Sequence, residues 1–358
     1  MKVAIISFSP LYATPYLQYY LDAINKTRNE CDIIFWDRDG DFRGSAEFPG
    51  IKYIPYRHKT SNSRIAKYTG YIFAVGFIRK ILKTNSYDRV FFMRTHAAVA
   101  CKKILLKDYK SRYIVDIRDF TLENFSWYRK LEKLVIENSY TTVISSNGYK
   151  KFLPQSNYTV VHNYMRIADD RKPVPVLNKE NIPIKISFIG NVRFIKMAKK
   201  MLLLMKNDDR FHLNFIGKGS ENLQRFCIEN KICNVTLVGR FSPEETVDFY
   251  RDCSIVNNYY GNKSRYLDYA LSNKLYYAAL FHIPVLVNPN TYSSEIATRY
   301  KFGLVWDIDE KNSVESLYEK FKRIDYDELS SGCDEFIGKV IDDNHKFENV
   351  ILRFLSGD

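Results

Sequence analysis

IKISFIGNVRFIK, residues 184–196, is the stretch on which the fold turns. Its first part, IKISFIG (184–190), is a short β-branched and aromatic run that stops at Gly190. Such a run reads as a strand, and a glycine at its carboxyl end lets the backbone turn tightly or approach a ligand closely. Arg193 and Lys196 follow at once, where a helical pattern begins. A helix N-terminus beside Lys or Arg is a ready site for a diphosphate.

The same unit recurs along the chain. Apolar runs stand at KVAIISF (2–8), CDIIFW (31–36), DRVFFM (88–93), RYIVDI (112–117), TTVISS (141–146) and YTVVHN (158–163). After residue 184 come HLNFIG (212–217), NVTLVG (234–239), CSIVNN (253–258) and PVLVN (284–288). Helix-like segments such as TPYLQYYLDAINKT (14–27) and WYRKLEKLVIEN (127–138) lie between, and further helices are expected to start near Lys196, Ser220, Ser242 and Ser272. Continuous apolar runs fit strands buried on both faces, and their alternation with helices predicts parallel, doubly wound sheets. MRIADDRKPVPVLNKENIP (165–183) has three prolines and no periodicity, which marks a linker. The chain of 358 residues therefore reads as an α/β protein of two domains, at about 150 residues each. The expected boundaries are 1–165, a linker at 166–183, a second domain over 184–335, and a terminal helical segment, 336–358, packing back toward the first domain.

Composition narrows the partners. A net charge of +13 points to anionic ligands, nucleic acid or anionic membrane. No nucleic-acid module is recognisable, so nucleic acid is not expected. The six cysteines form no CxxC, which argues against zinc and disulfides. No apolar run approaches the roughly 20 residues of a membrane helix. KVAIISF directly after Met1 is a strand and not a signal peptide, so a cytoplasmic location is expected.

Three strands of the second half end in glycine, at Gly190, Gly217 and Gly239, and Lys218 adds a cation to the second of these loops. Neither a Walker A loop nor a GxGxxG fingerprint is present, which leaves NTPase and dehydrogenase readings without support. SNKLYYAALFHIPVLV (272–287) places Asn273 and Lys274 at a helix start.

The order of these motifs resembles the glycosyltransferase family 4 ("group 1") enzymes of bacterial capsule, O-antigen and exopolysaccharide synthesis. The matching residues are Gly190 with Lys196, Gly217 with Gly219, the segment Val235 to Val256, then Asn273, Lys274, Pro284 and Val285, and finally Glu295 and Gly303. In the first half DIRD (116–119), VISSNGYKKFLP (143–154) and VVHN (160–163) are similar to the family more loosely. The resemblance implies the GT-B architecture, two Rossmann-like domains with parallel sheets facing a central cleft. It also implies a nucleotide-diphosphate sugar as co-substrate, with Gly190, Asn191, Arg193, Lys196, Gly217, Lys218, Asn273, Lys274, Tyr277 and Glu295 on the donor side.

The sequence departs from that pattern at several places. Tyr269 and Tyr277 stand where the family has two glutamates, His282 replaces the glycine before Pro284, Thr291 to Ser294 replace a Gly-Gly loop, and Asn191 replaces an arginine that Arg193 could substitute. A tyrosine offers one hydroxyl where a carboxylate offers two acceptor oxygens.

On the acceptor side Asp116, Asp119 and His96 follow strands and are the acid–base candidates. The other reading is a local ion pair of an aspartate with Arg118, and a packed histidine. His162 is expected to serve the fold. DRDGD (37–41) contains DxD, but its glycine spacing fails a calcium loop and a solvated turn is the better reading, so no metal is expected. RHKTSNSRIAKYTGYIFAVGFIRKILK (57–83) mixes eight basic or histidine residues with Ile65, Tyr68, Ile72, Val75 and Phe77. It is either a basic amphipathic helix that docks on anionic membrane or a core helix with a solvated basic face.

The expected function is a glycosyltransferase of hexosyltransferase type that moves a sugar from a nucleotide-diphosphate sugar to a lipid-linked oligosaccharide acceptor, with retention implied by the family. No cofactor is expected, and the implied location is cytoplasmic with peripheral contact at the inner face of the membrane. The alternatives are a non-catalytic partner of another transferase, motivated by Tyr269 and Tyr277, and a nucleotide-sugar epimerase.

Overall fold

The computed structural model describes residues 1–14, 16–38, 40, 42, 50–58, 64–164 and 183–357. The expected linker falls outside these residues apart from Pro183. The chain divides into two compact units, Met1–His162 with Asp342–Asp358, and Asn163–Ile341.

The first unit is built on seven strands, β1 (Lys2–Ser7), β2 (Glu30–Asp37), β3 (Ile51–Arg57), β4 (Arg89–Phe92), β5 (Tyr113–Ile117), β6 (Thr141–Ile144) and β7 (Tyr158–Val160). They form one sheet in the order β3-β2-β1-β4-β5-β6-β7, every pair parallel. Helices α1 (Leu17–Thr27), α2 (Arg64–Thr84), α3 (Thr95–Asp108) and α4 (Ser126–Glu137) make the crossovers. The inner strands are apolar throughout because helices cover both faces: Val3, Ile5, Val90, Phe91, Ile114 and Val115 expose nothing. The sequence did not announce β3. It is an edge strand, only partly buried, and it carries Pro55, whose missing N–H is tolerated at an edge.

In α2 the residues Ala74, Val75, Ile78 and Leu82 form the buried stripe, while Ile72 and Phe73 are exposed. Arg79, Lys80 and Lys83 point outward. The residues 59–63, and the side chains of Ile65 and Tyr68, lie outside the described part. Within DRDGD, Asp37 is buried at the end of β2 and its Oδ1 accepts from the Gly40 N–H at 3.1 Å, while Asp39 and Asp41 are outside the described residues.

The second unit has six strands, β8 (Ile184–Ile189), β9 (Phe211–Ile216), β10 (Val235–Val238), β11 (Ile255–Asn258), β12 (Val285–Val287) and β13 (Gly303–Val305). Their order is β10-β9-β8-β11-β12-β13, all parallel. Counted from β8, this is the three-two-one-four-five-six order of a dinucleotide-binding domain. The helices are α5 (Ile195–Leu204), α6 (Gln224–Glu229), α7 (Thr246–Arg251), α8 (Arg265–Tyr269), α9 (Asn273–Leu280), α10 (Tyr292–Arg299) and α11 (Ser313–Lys322). Trp306, wholly buried, donates its indole N–H to the Ser313 carbonyl at 2.7 Å.

The last helix, α12 (Tyr326–Ser356), contributes to both cores. Leu329, Cys333, Phe336 and Val340 belong to the core of the second unit. Phe347, Ile351, Phe354 and Leu355 belong to that of the first, with Val3, Tyr20 and Phe91. His162 is tied to this second half: its N–H donates to Asn344 Oδ1 at 2.8 Å and its Nε2 lies 3.4 Å from Asp343.

Candidate functional site

In open α/β sheets ligands bind beyond the carboxyl ends of the strands, where the strand order reverses. In the second unit that place lies between β8 and β11. Two glycine loops interlock there. Gly190, Gly217 and Gly219 have φ of 125°, 128° and 101°, a region that favours glycine. A Cβ on Gly217 would fall 2.1 Å from the Gly190 carbonyl oxygen, and one on Gly219 would fall 2.4 Å from that of Val192. Val192 N–H donates to the Lys218 carbonyl at 2.9 Å and locks the two loops together. Turned so that its amide nitrogen faces that carbonyl, Asn191 donates to it at 3.2 Å and accepts from Arg193 Nε at 3.3 Å. Gly239 differs from the other two strand-end glycines: a Cβ there would meet nothing within 4 Å and its φ is not positive.

Lys274, in the first turn of α9, brings its ammonium to these loops. A Cβ on Gly190 would lie 3.5 Å from Lys274 Nζ. The lysine side chain is buried, crosses the Phe188 ring at 3.9 Å from its centroid, and donates to the Tyr260 hydroxyl at 2.8 Å. The backbone of Tyr260 is fixed in turn, since Asn288 Oδ1 accepts from the N–H groups of Tyr260 and Gly261, each at 2.9 Å. Arg193, Lys196 and Lys218 are exposed on the same loops and the start of α5. The structure thus joins Gly190, Asn191, Arg193, Gly217, Lys218 and Lys274 in one cationic cradle. Asn273 is exposed as the first residue of α9. Glu295 is exposed in the first turn of α10, at the end of β12, which is two strands from β8.

The departures from the family pattern have local explanations. The Tyr277 ring stacks on that of Tyr250 at 4.9 Å between centroids and leans on Phe281, and burial raises its phenol pKa. Tyr269 ends α8. Thr291 and Ser294 form a capping box at the start of α10, each side chain accepting from the other's backbone N–H. His282 sits at φ 53°, the left-handed position that follows a helix end, and its ring meets Asp334 at 2.8 Å.

In the first unit the order reverses between β1 and β4. His96, in the first turn of α3, packs its ring against Phe8 and Tyr71 at 5.7 Å each. Burial first, then the charges of Arg94 and Arg38, lower its pKa to about 4, so the imidazole is neutral at pH 7. Asp119, partly exposed after β5, pairs with Arg94 at 3.3 Å. Asp116 does not join them. It is wholly buried inside β5, with Arg118 donating to both carboxylate oxygens (2.5 and 2.8 Å) and the Tyr20 hydroxyl donating at 2.6 Å. The structure therefore gives Asp116 the ion pair with Arg118, the other reading its sequence offered.

Sequence reading missed Phe188, Tyr260 and Asn288. The available signal was polar residues closing apolar strands, in NNYYGN (257–262) and VNPN (287–290).

No family model matches the sequence, and no curated protein does. Among solved structures the likeness is extensive. Sucrose-phosphate synthase from Thermosynechococcus elongatus is similar over 100% of both chains (TM-score 0.73, 11% identity). The lipopolysaccharide outer core galactosyltransferase WaaB is similar over 98% of this chain and 99% of its own (TM-score 0.66, 17% identity). HepE of Anabaena in complex with UDP is similar over the same shares (TM-score 0.67, 11% identity), and that protein has also been solved with UDP-glucose. At these identities the likeness shows the fold, which is the GT-B fold.

Proposed function

We propose that the protein is a glycosyltransferase that uses a nucleotide-diphosphate sugar. The observation that carries this reading is the buried Lys274 ammonium delivered to the Gly190 loop at the switch point of the second sheet. Breaking a glycosidic bond to a diphosphate leaves negative charge on the leaving oxygens. Fixed cations and backbone N–H groups aimed at that charge lower the barrier without reorganising. Lys274, with Arg193 and Lys196, supplies the cations, and the interlocked glycines let the phosphates approach the backbone. Glu295 and Asn273 would complete the donor side. HepE, which has been solved with UDP and with UDP-glucose, supports the donor class.

On the acceptor side neutral His96 can accept a hydrogen bond from a hydroxyl, and Asp119 can orient it. The resemblance to the group 1 enzymes supports a lipid-linked oligosaccharide acceptor in surface polysaccharide synthesis, transfer of a hexosyl group, retention at the anomeric carbon and no metal. The exposed aromatics Phe73, Phe125 and Trp127 of the first unit, with the basic residues of α2, support a peripheral contact with anionic membrane on its cytoplasmic face. Among the described residues no helix is long and apolar enough to cross a membrane.

Titration calorimetry of UDP, GDP and ADP and their sugars against the wild type and Lys274→Ala tests the donor site. The reading expects at least one nucleotide to bind the wild type and to lose more than about tenfold in affinity, about 1.4 kcal/mol, on loss of the ammonium. Equal binding by a folded mutant would remove Lys274 from the site. A second reading, a non-catalytic partner, draws on Tyr277, whose stacked ring occupies the place of a family carboxylate. Donor binding without sugar transfer to any lipid-linked acceptor would favour it.

A further inference from the structure

Two carboxyl groups are buried inside the first unit, and among the described residues neither has a cation as partner. Glu123 lies in the loop between β5 and α4, and Glu132 lies on the buried face of α4; neither exposes any surface. Glu123 is held by its own loop, where its carboxylate accepts from the Thr121 N–H and, at 3.3 Å, from the Thr121 hydroxyl. Glu132 is buried with neither carboxyl oxygen hydrogen-bonded, and Glu123 is the charged group that acts on it. Among the described residues no Lys, Arg or His pairs with either group.

Among the described residues no cation acts on Glu132. Tyr128 of α4 accepts from the Thr121 hydroxyl at 3.4 Å, and both acids act on its phenol. Tyr71 of α2 acts electrostatically on Tyr128, and Glu132 acts on Tyr158 of β7. Burial raises all three phenols, so they stay neutral. From α3, packed on α4, Cys101 acts on Tyr71, and burial keeps its thiol protonated. Two carboxylates this close in a dry site cannot both ionise. Burial first, and then the Glu123 charge, push the Glu132 carboxyl up to about 9.

We infer that Glu123 and Glu132 share one proton, Glu132 donating to the Glu123 carboxylate, and that this pair is a positioning device that fastens the β5–α4 loop carrying Arg118 and Asp119. The loop is held by Glu123 at Thr121, Glu123 is held by Glu132, and Glu132 is anchored in a helix. Loss of the shared proton at high pH turns the clasp into a repulsion and frees the loop beside Asp119. The idea rests on the proposed function only in giving Asp119 a purpose. Its tests need no substrate, so its failure and the failure of that reading are separable.

A carboxyl raised in the folded state holds a proton that the unfolded chain has lost, so stability is present below its unfolded value and falls as pH rises from about 4.5 toward 9. Infrared or carbon NMR spectra of wild-type protein labelled at the glutamate carboxyls should show one protonated glutamic acid at pH 7. In Glu132→Gln, whose amide still donates to Glu123, that signal should vanish. The variant should melt several degrees above the wild type at pH 8 and level with it near pH 5. Hydrogen exchange at residues 119–125 should become faster in the wild type than in the variant as pH nears 9, with the core strands unchanged. A wild type whose glutamates are all ionised at pH 7 would overturn the proposal, whether or not the variant folds. So would a melting difference that does not change with pH.

Discussion

Lys274 Nζ donates to the Tyr260 hydroxyl at 2.8 Å while it rests over the Phe188 ring. A buried lysine is costly unless something replaces its water. Here one hydrogen bond and two aromatic faces do so, and the remaining N–H donors are available to a ligand at the Gly190 loop. Tyr260→Phe keeps the ring and removes the hydroxyl. It should weaken nucleotide binding by roughly 1 kcal/mol, less than Lys274→Ala does. Calorimetry on the two variants decides the order, and a larger effect from Tyr260→Phe would make the tyrosine and not the lysine the ligand contact.

The glycines at the ends of β9 and β10 should respond oppositely to a methyl group. Gly217→Ala drives a Cβ into the Gly190 carbonyl and strains a φ of 128°, so a loss of roughly 3 kcal/mol is expected, with donor binding lost as well. Gly239→Ala meets open space and should be close to neutral. Chemical denaturation of both would show whether the interlock is as tight as its geometry.

Asp116 and Arg118 should behave as a buried pair. Asp116→Ala leaves the guanidinium uncompensated, with about 3–5 kcal/mol of stability lost. Replacing both, in Asp116→Ala with Arg118→Met, should recover part of that loss. If the single variant were stable and merely inactive, Asp116 would have a chemical role that its geometry hides.

The pH dependence of stability should carry the mark of His96. Its folded pKa is lowered to about 4, mainly by burial, so below its ordinary value the unfolded chain binds a proton that the folded one refuses. Stability contributed at neutral pH is therefore lost as pH falls from about 6.5 toward 4. Melting curves of the wild type and His96→Gln across that range should converge at low pH, and parallel curves would show that the histidine ionises freely.

Much of the fold was legible because the inner strands are apolar on both faces; KVAIISF, DRVFFM and IKISFIG can hardly be anything else. The strands β3 and β13 were not: β3 is only partly buried and interrupted by Pro55, and β13 is three residues long. The site was partly legible. Lys274 stands out locally as a cation at a helix start. Its partner Tyr260 lies 14 residues earlier across α8, and only the folded sheet brings the two together. Gly190, Gly217 and Gly239 look alike in sequence, and only the loop crossing separates them. His282 illustrates the converse. The left-handed turn after α9 needs a residue at positive φ, and a histidine adopts it here although a glycine would do so at lower cost.

The sharing of α12 between the two cores bears on the order in which the chain matures as it is made. Most of the first unit, Met1–His162, is made before the second, yet Phe347, Ile351, Phe354 and Leu355 complete its interior. Until those side chains emerge, the apolar faces of α1 and β1 lack their cover, and the whole second unit must be synthesised in the meantime. Vectorial synthesis thus leaves residues 1–162 waiting for residues 342–358, and the uncovered first unit is the form that chaperones would meet.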